Sequence, residues 1–116
     1  MKIPKAIRIG GVDYEVKETP SLNNGKDVCY GHIDYTRAII ELNPDNCISP
    51  QYQGRVLWHE ILHGIAEQAN LELGDDEENI VDTLAKGIYQ VLQDNARDLY
   101  DISDSPKAGA EDAKAG

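Results

Sequence analysis

Residues 57–66 read Leu57-Trp58-His59-Glu60-Ile61-Leu62-His63-Gly64-Ile65-Ala66, and their spacing is that of a helix. Leu57, Trp58, Ile61, Leu62, Ile65 and Ala66, continued by Ala69, fall on one broad face at a period of 3.6 residues. Ser49 upstream suits the N-cap, Pro50 suits the first helical position, and Asn70 marks a C-terminal stop. Side chains four apart on a helix lie one above the other, so the imidazoles of His59 and His63 can reach one metal ion. Glu60 is rotated about 100° from His59, which turns it toward the open side of such a metal rather than into its ligand set. With His59 at zero, the apolar residues span about 160° to 340°, and both histidines stand at the edge of that arc. A shuffled chain with three histidines and nine glutamates would show His-Glu-x-x-His roughly once in 250 tries, so the spacing carries weight. The bland alternative is a partly exposed histidine pair beside a carboxylate.

Downstream, Ile80, Val81, Leu84, Ala85, Ile88, Val91 and Leu92 form a second apolar stripe. Asp75 or Asp76 can cap that helix, and its acidic first turn suits the helix dipole. Upstream, the period changes from 3.6 to 2. Ile7 and Ile9, then Val12, Tyr14 and Val16, alternate with polar residues about Gly10-Gly11, which predicts a β-hairpin over residues 6–17. Residues 18–27 read as a surface loop. A second extended pair is expected at about Val28–Ile33 and Arg37–Leu42, turning at Asp34-Tyr35-Thr36 and ended by Asn43-Pro44-Asp45-Asn46.

Two histidines are too few to hold zinc, whose borderline-soft character favours imidazole and whose catalytic sites use three protein ligands and one open position. Glu67 lies about 12 Å along the axis from His59, too far to share an ion. His32, Asp75, Asp76, Glu77 and Glu78 are the candidates for the third ligand. Glu78 is preferred because Asp82 stands one turn beyond it on the same face, placed to support a ligand histidine by accepting its other N–H. Glu77 has Val81 in the corresponding position. Asp75-x-x-Glu78 also reads as a variant capping box.

Composition narrows the class. The 116 residues are 41% hydrophobic and 28% charged, which fits one folded domain over residues 1–100. Residues 101–116, rich in Asp, Ser, Ala, Gly and Lys, read as a flexible acidic tail. The net charge of −10, from 21 acidic and 11 basic residues, argues against nucleic-acid partners. No apolar run reaches the roughly 20 residues a membrane span needs, and the N-terminus lacks the apolar core of a signal peptide. The expectation is a cytoplasmic protein in which Cys29 and Cys47 are reduced thiols.

His-Glu-x-x-His at 59–63, followed by Glu78 and Asp82, resembles the signature of the gluzincin metallopeptidases. In their thermolysin-like branch an aspartate four residues after the glutamate supports a ligand histidine. The short chain, its strand-rich start and the 14 residues between His63 and Glu78 look most like the minigluzincins, minimal catalytic domains of bacteria, archaea and phages. The ImmA/IrrE-type peptidases are a related comparison. The resemblance implies an α+β fold, with a small, mostly antiparallel sheet packed on an active-site helix and backed by a glutamate helix. It implies a zinc-dependent peptidase acting on peptide or protein substrates, with Zn2+ on His59, His63 and Glu78, Glu60 as the base and Asp82 behind a histidine. An edge strand before the active-site helix, mapped to Arg37–Leu42, would bind substrate in extended form. Larger gluzincins add a His or Tyr for the oxyanion; His32, Tyr35 and Tyr52 are the candidates here. The alternative is a non-hydrolytic zinc-binding regulatory protein that keeps the site. The second helix is expected to end near Tyr100, leaving Asp101, Asp104 and the residues after them on a flexible tether, from which an aspartate could occupy the open metal position.

Overall fold

The computed structural model describes residues 3–45 and 49–104, with side chains to Leu99 except that of Arg97. Strands β1 (Ala6–Ile9) and β2 (Val12–Glu18) form the hairpin expected from the alternation. Gly10 and Gly11 turn it at φ of 59° and 87°, the left-handed region that two-residue hairpin turns need. Strands β3 (Gly31–Asp34) and β4 (Ile39–Leu42) form the second antiparallel pair. Its turn is closed by the Asp34 carboxylate, which accepts from the Arg37 N–H at 3.0 Å and its side chain at 2.9 Å.

The two hairpins join through a parallel pairing of β2 with β4, Glu15↔Ile39 to Glu18↔Leu42. The sheet order is therefore β1-β2-β4-β3, a mixed sheet rather than a purely antiparallel one. This order also corrects the substrate strand. β4, the segment mapped as an edge, is paired on both sides, and Arg37 precedes it; the edges are β1 and β3.

Helix α1 (Pro50–Gln68) begins as its sequence dictates, with Ser49 Oγ accepting from the Tyr52 N–H at 3.1 Å and Pro50 at the first position. It ends in a Schellman turn. Asn70 takes φ of 54°, its N–H bonds Glu67 C=O at 3.2 Å, and Leu71 N–H bonds Ala66 C=O at 2.9 Å. A 3₁₀ turn (Gly74–Asp76) without a side-chain cap leads straight into α2 (Glu77–Asp104), so neither Asp75 nor Asp76 caps that helix.

The layers run sheet, α1, α2, with α2 packed on α1 and not on the sheet. Ile9, Tyr14, Val16, Ile33, Ile40 and Leu42 from one sheet face meet Val56, Leu57 and Ile61 of α1. Each side chain so buried is worth about 1.5–3 kcal/mol relative to exposure. Lying between two layers, α1 buries a different and wider arc than the face read from its spacing: Val56, Glu60 and Gly64 are buried as well, while Ile65 is exposed. Asn43, fully buried at the end of β4, donates to the Cys29 carbonyl at 3.0 Å while its N–H reaches Tyr30 C=O at 2.9 Å. It thereby ties the loop before β3 to the sheet.

α2 runs to Asp104, beyond the expected end near Tyr100. Residues 93–104 contain neither Gly nor Pro, and Pro106 is the first residue that helix geometry rejects. Asp101 thus belongs to the helix, about 28 Å along its axis from Asp82, which removes the tethered-aspartate expectation for it and for Asp104. The remaining tail, 105–116, lies outside the described residues, as does Cys47; Cys29 is a free, half-buried thiol. No helix among the described residues is long and apolar enough to cross a membrane.

Candidate metal centre

His59 and His63 leave α1 on the side facing α2, with ring centroids 4.9 Å apart and their side chains about 85% buried. From α2 three carboxylates meet them. His59 Nδ1 lies 3.3 Å from Asp82 Oδ1, and His63 Nδ1 lies 2.8 Å from Glu77 Oε2. A carboxylate only accepts, so in the neutral tautomer that donates from Nδ1 each imidazole keeps a lone pair on Nε2. Those two Nε2 atoms are 3.2 Å apart, and Glu78 closes the group: its Oε2 is 2.8 Å from His59 Nε2 and its Oε1 3.0 Å from His63 Nε2.

In that tautomer three acceptors converge on one point with no proton between them, which is unfavourable without a cation. Donors 2.0–2.1 Å from one tetrahedral ion stand about 3.3 Å apart, and the observed 2.8–3.2 Å is close to that spacing. His59, His63 and Glu78 can thus hold a metal ion. The structure brings together the three ligands named from sequence, with Asp82 behind His59 as expected. It adds Glu77, which the sequence reading set aside. One available signal was stoichiometric, since two ligand histidines need two backing groups and Asp82 serves only one.

Asp82 also accepts from Lys86 Nζ at 3.0 Å, and that ammonium is the main cause holding its carboxyl below the usual range, with His59 adding to it. Glu60 takes no part in the cluster. It is buried on the sheet side of α1, 7% exposed, beside Gly31 of edge strand β3. A Cβ at Gly31 would sit 3.1 Å from Glu60 Oε2 and 2.7 Å from Val56, so only glycine lets β3 pass so close. Burial pushes the Glu60 carboxyl up to about 7, with Glu78 adding to the rise and His63 opposing it.

Two clefts flank this point and share Gly31, His59, Glu60 and Glu78. The larger, about 600 Å³, is also walled by Val28–Tyr30, Tyr52, Arg55 and Lys86; the smaller, about 270 Å³, by His32, Ile33, Tyr35 and His63. The three oxyanion candidates are dispersed around them. Tyr35 donates its hydroxyl to the His63 carbonyl at 3.3 Å, and burial, with the nearby Glu67, Glu77 and Glu60, pushes its pKa up to about 12. Tyr52 stands edge-on to Tyr30 in the larger cleft. His32 contributes to the rim of the smaller cleft, but its Nδ1 lies 3.6 Å from Glu41, on the face opposite buried Ile33. Family models, curated proteins and solved structures, compared with this chain, return no match.

Proposed function

We propose that the chain is a zinc-dependent peptidase of the gluzincin kind, an α+β zincin reduced to one sheet and two helices. The observation that carries the reading is the convergence of His59 Nε2, His63 Nε2 and Glu78 within 3.2 Å, each imidazole backed by its own carboxylate. Imidazole and carboxylate in a three-ligand set suit zinc with one position left open. A zinc ion held there supplies the Lewis acidity that amide hydrolysis needs at neutral pH.

The protein's own residues supply the rest. Glu60 is the proton carrier: a carboxylate with its pKa raised to about 7 can take a proton from water and return it to the leaving amine at the same pH. Edge strand β3 orients the substrate. Asn43 N–H bonds Tyr30 C=O, so by antiparallel alternation the main chain of Gly31 and Ile33 points away from β4 to the free edge. An extended peptide laid against that edge passes Glu60 and the metal ligands.

Elemental analysis of protein purified without added metal should find about one zinc per chain, lost in His59→Ala and His63→Ala. The zinc-loaded chain should cleave an unfolded protein substrate, and Glu60→Gln should retain the zinc and lose cleavage. Stoichiometric zinc with no turnover in the unaltered chain would favour the non-hydrolytic, regulatory reading; no zinc would remove both.

A further inference from the structure

We infer that Arg55 is the specificity-determining residue of the larger cleft and binds a carboxylate carried by the substrate; the inference rests on the peptidase reading. In a chain of net charge −10, two cations line the cleft beside the metal ligands, Arg55 and Lys86. Lys86 is engaged, its Nζ 3.0 Å from Asp82. Arg55 makes no ion pair with a described carboxylate and lies over the Tyr52 ring, 5.9 Å from its centroid. The acidic groups of the same cleft are turned elsewhere. Glu78 faces both histidines, Asp82 lies between His59 and Lys86, and Glu60 is buried beside Gly31.

Arg55 stands one turn before His59 on α1, so it shares the face of the metal ligands about 6 Å further along the axis. A guanidinium resting on an aromatic face keeps its N–H edge for a planar, two-pronged acceptor, and a carboxylate matches that fork. Exposed Tyr30 and Val28, which line the same cleft, give the stem of such a residue an apolar surface. The carboxylate can come from an Asp or Glu side chain or from the free C-terminus of the peptide.

The test uses the zinc-loaded full chain and matched peptides: one position scanned as Glu, Gln or Lys, and peptides ending as free acid or amide. Glu should be preferred over Gln by about tenfold in kcat/KM at low salt, less at high salt. The ratio should fall to about one in Arg55→Ala and invert toward Lys in Arg55→Glu, an inversion that unfolding cannot produce. A preference confined to free acid over amide, with the same Arg55 dependence, would assign the carboxylate to the chain end. The same peptides are titrated by fluorescence anisotropy against Glu60→Gln, with and without Arg55→Ala, which separates binding from turnover. Arg55-dependent binding without hydrolysis by the unaltered chain would keep this inference and refute the peptidase. Hydrolysis with a ratio of one, or a ratio unchanged in Arg55→Ala, would overturn Arg55 and leave the peptidase standing. Neither preference nor hydrolysis would overturn both.

Discussion

Glu60 is placed against the usual preference of a carboxylate for water, and its burial has a cost that can be measured without catalysis. Its pKa in the folded chain is about 7 against an ordinary 4.5, so the fold favours the protonated form. Stability is therefore unaffected by this group below about pH 4.5, declines as pH rises from there to 7, and carries the full penalty above 7. Glu60→Gln should raise the stability of the metal-free protein at pH 8 by on the order of 3 kcal/mol and leave it nearly unchanged at pH 4.5. Urea unfolding in the presence of a chelator at the two pH values measures this, and equal gains at both would mean that burial is not what perturbs the group. The residue's identity was legible from its place between the histidines. Its burial was not, because the sheet side of α1 is completed by Gly31, a residue with no side chain to advertise the contact.

At the scale of elements, the interface of α1 with α2 holds both the candidate metal ligands and the carboxylates behind them. Glu77 and Asp82 enter it from successive turns of α2, each against a different histidine. Glu77→Gln and Asp82→Asn should each weaken zinc by about 10- to 100-fold, read by competition with a chromophoric chelator. Unchanged affinity in Glu77→Gln would make its 2.8 Å contact with His63 incidental. Further along, Gly54 faces Tyr89, and a Cβ there would lie 2.3 Å from the ring. Alanine is the better helix former by about 1 kcal/mol, yet Gly54→Ala should destabilise the fold by about 1–3 kcal/mol, because the buried Tyr89 ring leaves no room. A raised Tm in that variant would contradict the packing. What was legible here is what is local: the hairpin from Gly10-Gly11, the start of α1 from Ser49-Pro50 and its end from Asn70. The parallel pairing of β2 with β4 left no such mark. Ile39–Leu42 is a four-residue strand, apolar except for Glu41, and its two partners lie at different distances along the chain. Glu77 was missed for a related reason: the same-face rule compares residues within one helix, whereas its partner is on the other.

For the whole molecule, the order sheet, α1, α2 leaves the outer helix packed, among the described elements, only on α1 and the adjoining 3₁₀ turn. A ligand set drawn from both helices then bears on stability as well as chemistry. Metal at a hundredfold excess over its Kd should stabilise the native state by about 2.7 kcal/mol, so chelation should lower Tm by on the order of 10 °C. Calorimetry with and without chelator checks this; an unchanged Tm would mean that the ligands hold no ion in the folded chain. The effect should be uneven. Amide exchange should rise most at the 3₁₀ turn and the start of α2, where Asp75, Asp76, Glu77 and Glu78 follow one another. A shared ion would fasten residues 59 and 78 like a removable staple. Under that reading the fold itself gauges free zinc: scarcity slackens the outer helix and separates the ligands, whereas supply cinches them together and arms the site, with no second protein acting as the switch.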